Sequence, residues 1–168
     1  MSELPESDSR SELEREPLLR PADVRLAAMD LLARREHSRR ELRQKLLKRF
    51  NKLEMEALPE LVDAQLDCLS EENLQSDVRY AQSLFRQRVQ RGQGPLRIRQ
   101  EMRQKGISDA EILAVMEEAD CDWYILASEV LERKFGALPP EDMKAKAKRV
   151  RFMQYRGFQS EHFSDLLD

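Results

Sequence analysis

The chain has 168 residues, of which 40% are apolar and 36% are charged, and its formal net charge is only −3. This composition is polar without being that of an intrinsically disordered chain, and no apolar run is long enough to span a membrane. Leu, Arg, Glu, Gln, Ala and Met dominate, and no stretch shows the alternating β-branched pattern of a strand. We therefore predict an all-α protein, and we expect it in the cytoplasm because no signal peptide is present.

Charge is segregated along the chain. Residues 1–20 are acidic and contain several serines and prolines, which predicts a disordered tail. Beyond the tail, basic segments alternate with acidic ones (34–52, 79–105 and 144–156 against 54–77 and 109–122). This alternation is expected to place basic ridges beside acidic ones on one molecule.

The first segment with helical apolar spacing, 21–76, is expected to form three helices. The first helix opens at Pro21 and the third at Pro59, because proline suits the first turn of a helix. The second helix starts at Ser38. The pattern from Ser38 to Glu41 predicts a capping box, in which hydroxyl and carboxylate each accept from a free backbone N–H.

The same plan recurs in segments 77–120 and 121–168. In the second segment we expect Asp77 to cap the first helix, the next helix to run from Pro95 to Lys105, and a second capping box at Ser108–Glu111. In the third segment Asp122 is the expected cap, and a short terminal helix is predicted from Ser160.

The ends of the three middle helices align as a repeat. The aligned sets are Leu42, Ile98 and Arg149; Leu46, Met102 and Met153; Arg49, Lys105 and Arg156; and Phe50, Gly106 and Gly157. Phe50 and Arg149 depart from the pattern of their sets. Because three helices alone cannot build a large core, neighbouring units must stack. We therefore predict three tandem three-helix repeats forming an elongated, curved array.

Residues suited to catalysis are scarce. His37 and His162 lie far apart in polar surroundings, and we interpret both as surface residues. Cys68 and Cys121 lie in apolar helical patterns and are interpreted as buried free thiols. The spacings of the two histidines and two cysteines match no zinc site. Gly92–Pro95 lacks the strand and the Gly-Lys-Ser/Thr ending of a phosphate loop. We expect no catalytic residues, no cofactor and no metal.

The segment Tyr80–Ile107 combines an apolar helical stripe with an exterior of cations that is opposed only by Glu101. Such an exterior is typical either of a solvated helix surface or of a contact with an anionic polymer or acidic protein groove. Our hypothesis is a contact surface made by cations of this segment and extended by a later basic helix. The candidates are Arg86, Arg88, Arg91, Arg97, Arg99, Arg103 and Lys105, extended by Lys144, Lys148 and Arg151.

Three motifs carry a resemblance to a known family. The segment Gly94–Ser108, GPLRIRQEMRQKGIS, resembles the signature of the bacterial regulatory protein RecX. His37–Leu46, HSRRELRQKL, and Tyr155–Phe158, YRGF, resemble the first and third repeats of that family. The likeness covers residues 22–168.

The resemblance implies a function that periodicity alone does not. RecX proteins restrain the RecA recombinase: they bind in the groove of the RecA–single-stranded-DNA filament, inhibit ATP hydrolysis and strand exchange, and block filament extension or promote disassembly. The implied partners are the RecA filament and single-stranded DNA, either directly or within the filament, with no membrane. We expect a monomer. The alternatives are a stand-alone helical DNA-binding protein that uses Arg97–Arg103 as a recognition helix, and a protein scaffold without DNA contact.

Overall fold

Eight α-helices make up the fold in this computed structural model, which describes residues 18–168, and no strand occurs in that range. The helices are α1 (Pro21–Leu32), α2 (Arg39–Phe50), α3 (Leu58–Glu71), α4 (Asp77–Gln90), α5 (Pro95–Gln104), α6 (Asp109–Ala119), α7 (Trp123–Phe135) and α8 (Met143–Arg156). The all-α prediction is confirmed, whereas the disorder predicted for the acidic tail falls mainly on residues 1–17, outside the described range. No helix within 18–168 is long and apolar enough to cross a membrane.

The helices form three units, each with its own apolar core: unit one is α1–α3, unit two is α4–α6, and unit three is α7, α8 and the C-terminal turns. The middle helices place Leu46, Met102 and Met153 at the centres of these cores, each with 0% exposure. These three residues occupy one position of the predicted repeat, so the repeat and its three helical units are confirmed. The curvature of the array stays a prediction.

Unit three departs from the plan of the other two. The predicted terminal helix forms as two short 3-10 turns, Ser160–His162 and Ser164–Leu167. Arg149 replaces the fully buried Leu42 and Ile98 of the other units. Its guanidinium donates to the Leu138 carbonyl at 2.9 Å and lies 5.2 Å from the Phe135 ring centroid. The long arginine stem thus covers the core while its charge is held at the rim.

The two predicted capping boxes have different outcomes. Ser108 and Glu111 form the reciprocal pair as expected, with Ser108 Oγ accepting from the Glu111 N–H at 3.2 Å and the Glu111 carboxylate accepting from the Ser108 N–H at 3.1 Å. Ser38 accepts from the Glu41 N–H at 3.2 Å, but the Glu41 carboxylate binds the Arg35 guanidinium instead. Glu41 therefore does not form its half of the predicted capping box, because its carboxylate binds the guanidinium more strongly than a backbone N–H.

The predicted cap at Asp77 is wrong, because Ser76 is the N-cap of α4 and accepts from the Arg79 N–H at 3.2 Å. Asp77 is instead directed toward unit one, where its carboxylate accepts the Arg39 N–H at 2.8 Å. Gln75, only 3% exposed, donates to Asp77 and to the His37 carbonyl. The junction between units one and two is therefore polar and buried.

The predicted surroundings of both histidines and of Cys68 are wrong, whereas Cys121 is partly buried against the core of unit two. His37 is 2% exposed, and burial lowers its pKa. His162 keeps only 13% of its side chain exposed, and its ring centroid lies 6.4 Å from that of Trp123 and 6.3 Å from that of Phe158. The thiols are free as predicted, but Cys68 is exposed and Cys121 is half-buried. Within residues 18–168, no group of three or more His, Cys, Asp or Glu side chains is placed to hold a metal ion.

The middle helices of the three units, α2, α5 and α8, pack end to end. The C-terminal end of α8 meets the N-terminal end of α5, where the Gly94 N–H donates to the Arg156 carbonyl at 2.7 Å and the Leu96 N–H donates to the Gly157 carbonyl at 3.0 Å. Free N–H groups at one helix start thus satisfy free carbonyls at another helix end. Trp123 adds an apolar bridge, because it packs against the cores of both unit two and unit three.

Glycine at the end of a middle helix allows this close approach. Gly157 has φ +92°, and an added Cβ would lie 2.5 Å from the Arg97 Cβ. Gly106, with φ +83°, lies tightly against Arg40 at the start of α2. Phe50 replaces glycine at the end of α2, where no further middle helix packs in the described part of the chain. The departure at Phe50 follows from its place at the end of the series.

Candidate nucleic-acid interface

The outer face of α8 is defined here as Lys144, Lys148, Arg151 and Tyr155. Helix α8 begins after Asp142, whose carboxylate accepts from the Ala145 N–H at 2.7 Å, and it contains no acidic residue. Successive residues are about 100° apart around a helix, so burial of Met153 directs these side chains away from the core. All of them are exposed. The result is a row of cations that ends in an aromatic ring.

The other cations of α8 are engaged within the molecule. Lys146 pairs with Asp168, Arg149 binds the Leu138 carbonyl, and Arg156 donates to the Arg91 carbonyl at 2.7 Å. The outer face is therefore the part of α8 whose charge remains available to a partner.

Arg97 connects this face to α5. Its Nη1 donates to the Tyr155 carbonyl at 3.2 Å, and its guanidinium lies 4.9 Å from the centroid of the Tyr155 ring. The tyrosine itself is 72% exposed. A guanidinium stacked on an aromatic face is attracted by the ring quadrupole, so this pair joins the two units at the surface.

The cations of α5 and its C-cap residue Lys105 lie on two different flanks, because α5 buries Ile98 and Met102 between them. One flank carries Arg97 and Lys105, and the other carries Arg99 and Arg103. The cations of Tyr80–Ile107 therefore do not form a single surface.

Two of the candidates already have carboxylate partners. Arg88 binds both oxygens of Glu101, at 2.7 and 2.5 Å, and these bonds lower the pKa of Glu101 and raise that of Arg88. Arg103 binds Asp109 at 2.9 Å on an exposed surface. The charge of each pair is compensated, so these two arginines offer less to a partner than the composition suggests.

The other candidates are dispersed. Arg86 is exposed on α4 beside a cleft with Glu118, and Arg91 is exposed at the end of α4. Lys105 is half-buried in a cleft between units one and two that also contains Arg35. Of the predicted surface, Arg97 is linked to the α8 outer face through its contacts with Tyr155, and the other candidates of the segment Tyr80–Ile107 lie elsewhere.

A groove of about 480 Å³ adjoins this face, between α5 and the end of α8. Its lining includes Arg97, Gln100, Glu101, Gln104, Gln154 and Tyr155. The prediction of this surface from the sequence considered only cations, so it did not include the glutamines or the tyrosine. The detectable signal was the helical spacing that places Tyr155 four residues after Arg151, on the same face as the cations.

Comparison with known proteins identifies the family. Models of the first, second and third three-helix domains of RecX match residues 25–52, 76–116 and 120–167. The Regulatory protein RecX of Halorhodospira halophila is 47% identical over 135 residues, which is 80% of each chain. That of Pseudomonas entomophila is 44% identical over 147 residues, which is 88% of this chain and 91% of the relative.

Solved structures share the fold. The crystal structure of RecX from Lactobacillus salivarius superimposes with a TM-score of 0.64 at 19% identity, over 87% of this chain and 93% of that chain. A second crystal structure, of regulatory protein RecX, gives a TM-score of 0.64 at 23% identity, over 87% of this chain and 72% of that chain. With three domain models matched in chain order and relatives this similar, the chain belongs to the RecX family.

Proposed function

We propose that this chain is a negative modulator of the RecA recombinase that binds in the groove of the RecA–single-stranded-DNA filament. The observation that carries the proposal is the α8 outer face, on which Lys144, Lys148 and Arg151 are exposed on a helix without acidic residues. Cations in a row along a groove track the phosphates of a strand, and binding releases counterions. The name of the relatives, Regulatory protein RecX, supports a regulatory role.

The serial packing of α8 and α5 supports a contact longer than one helix. Arg97 continues the row of cations from unit three onto unit two through its contacts with Tyr155. A monomer lying along the filament in this way inhibits ATP hydrolysis, strand exchange and filament extension by occupying the groove. Arg86, Arg91, Arg99 and Lys105 lie outside this row, and we assign them secondary contacts.

The test is the single-stranded-DNA-dependent ATP hydrolysis of RecA, with this protein titrated from far below stoichiometry. Wild type is expected to inhibit, and Lys148→Glu/Arg151→Glu is expected to lose most of the inhibition while keeping its helicity. The control is Lys48→Glu/Lys52→Glu, which makes the same change in net charge at the far end of unit one. It is expected to inhibit nearly as wild type does.

The possible results of the titration lead to different conclusions. Unchanged inhibition by the folded α8 variant would show that the α8 outer face does not contact the filament. Equal losses of inhibition in both variants would show that the loss depends only on net charge. Absence of inhibition by saturating wild type would reject the RecA modulator and favour a stand-alone DNA-binding protein. Inhibition at substoichiometric amounts would favour action at filament ends, whereas inhibition near one copy per several subunits would favour groove occupancy.

A further inference from the structure

The groove between α5 and α8 has a composition that phosphate binding does not explain. One wall is the stacked pair of Arg97 and Tyr155, and glutamines 100, 104 and 154 line much of the remainder. Arg97 and the amide N–H groups can bind phosphate, but the Tyr155 ring cannot, and an aromatic wall beside several amides is suited to a flat, polar ring. The groove opens beside the α8 outer face, because Tyr155 belongs to both.

The aromatic wall offers a stacking surface. Tyr155 is 72% exposed, and its ring is held against the Arg97 guanidinium, 4.9 Å from the ring centroid. The Arg97 Nη1 also donates to the Tyr155 backbone carbonyl. Arginine planes and tyrosine rings are the groups on which proteins stack unpaired bases, and such stacking tolerates any base because every base has a π face.

The amides supply hydrogen bonds to the edge of a ring. The side chains of Gln100, Gln104 and Gln154 are exposed along the groove, and each carries both a donor and an acceptor. The groove lining also includes the carboxylate of Glu101. Both of its oxygens are bound by Arg88, at 2.7 and 2.5 Å, so its charge is compensated before an anionic strand approaches.

We propose that this groove takes one unpaired nucleobase of a single DNA strand whose phosphates lie along the α8 outer face. The base stacks on the face of the Tyr155 ring that Arg97 leaves free, and the glutamine amides bond to its edge. The inference rests on the proposed contact with DNA and adds to it a reason for single-strand preference, because a base in a duplex is stacked on both faces and its Watson–Crick edge is paired. Tyr155 is thereby a specificity-determining residue rather than part of the phosphate contact.

The experiment measures binding of the full chain to naked DNA by fluorescence anisotropy, without recombinase. The probes are a short labelled oligothymidylate and a strand of the same length that carries abasic residues. Wild type is expected to bind the base-containing strand about tenfold more tightly or better, which is the scale of one stacked base. Tyr155→Ala is expected to lose that difference and Tyr155→Phe to retain most of it, while Lys144→Gln/Lys148→Gln weakens both strands by the same factor.

Equal wild-type affinity for the two strands would overturn the proposal, and so would an equal weakening of both strands by Tyr155→Ala. Displacement of the strand by a low concentration of deoxyadenosine monophosphate would reassign the groove to a free nucleotide and overturn it as well. Since recombinase is absent, these results are separate from the ATP hydrolysis test. If Lys148→Glu/Arg151→Glu loses RecA inhibition while wild type binds the two strands equally, the proposed function stands and only the base-binding role of the groove is wrong.

Discussion

Helices α2 and α8 occupy the same place in units one and three and are both rich in cations, but their charges are used differently. On α2, Arg39 pairs with Asp67 and Arg43 pairs with Asp63, each at 2.7 Å, so the acidic helix α3 compensates one flank of α2. On α8, the corresponding long third helix is absent from the described part of unit three, and the short C-terminal turns bring Asp168 to Lys146.

The outward positions of the two helices differ in charge as well. The positions that align with Lys148, Arg151 and Tyr155 of α8 are occupied on α2 by Glu41, Gln44 and Lys48. Glu41 is not directed outward like Lys148, since only 12% of its side chain is exposed and its carboxylate is bound by Arg35. The comparison teaches that the cation content of a helix does not identify an interface. What decides is which neighbouring helix carries the counter-charges and which residues occupy the outward positions.

Truncation of the core residue at the aligned position of a unit is expected to lower stability most, and to do so mainly in the unit that carries the substitution. Leu46→Ala and Met153→Ala each empty a fully buried position, which costs about 2–5 kcal/mol. Because each unit has its own core, Leu46→Ala is expected to lower hydrogen-exchange protection mainly in α1–α3, and Met153→Ala mainly in α7 and α8. Equal loss of protection across all helices in both variants would contradict independent cores.

The junction between units two and three is expected to be the next most sensitive feature. Gly157→Ala places a Cβ 2.5 Å from the Arg97 Cβ at φ +92°, and clash and backbone strain together are expected to cost about 3 kcal/mol. Gly94→Ala tests the close approach without backbone strain, because its φ is −85° and an added Cβ would still clash with the Gly157 carbonyl. Its cost is expected to be about 1–3 kcal/mol, since the clash is with backbone atoms. Urea unfolding measures both variants, and a negligible cost for Gly94→Ala would contradict the role of close approach.

Much of this fold is visible in the sequence because it depends on local signals. Apolar spacing, Pro95 at the start of α5, the Ser108–Glu111 box and the aligned Leu46, Met102 and Met153 each depend on a few neighbouring residues. Predictions failed where a distant partner intervened. Asp77 binds the Arg39 N–H of another unit instead of capping its own helix.

The candidate site was less predictable for the same reason. Sequence identified the cations of the α8 outer face from their spacing, but it grouped Arg88 and Arg103 with them, although each already has a carboxylate partner. Tyr155 gains its role from contact with Arg97, a residue 58 positions away in the chain. His37 is likewise buried although its chain neighbours Glu36 and Ser38 are polar, so no local pattern indicates its burial.

Unit two is intermediate between the two extremes, since Arg88 and Glu101 pair across α4 and α5 with 17% and 24% of their side chains exposed. Glu101→Gln is expected to cost about 1–3 kcal/mol at neutral pH, because it leaves a poorly solvated guanidinium without its charged partner. The pKa of folded Glu101 is lowered, chiefly by the hydrogen bonds from Arg88. The stabilisation is therefore fully present above the unfolded pKa, about 4.3, and is lost as pH falls through the lower folded value.

Urea unfolding of wild type and Glu101→Gln across this range measures the difference directly. The free energies of unfolding of the two proteins are expected to converge as the solution is acidified. A difference that stays constant on acidification would show that the loss comes from altered packing and not from the charge of Glu101.

The smallest expected effect on stability belongs to the change that makes unit one resemble unit three. Asp63→Asn/Asp67→Asn releases Arg39 and Arg43 from their carboxylate partners, and because these pairs are exposed the stability cost is expected to be below about 1 kcal/mol. If counter-charges on α3 are what keep α2 from acting as an anion-binding helix, the variant binds single-stranded DNA more tightly. The dependence of log K on log salt steepens by about 0.7 for each additional phosphate that the variant neutralises. Glu60→Gln/Glu71→Gln is the matched control, because it makes the same change in net charge on α3 without releasing either arginine. An equal increase in affinity in both variants would show that total charge, and not the pairing of individual arginines, separates unit one from unit three.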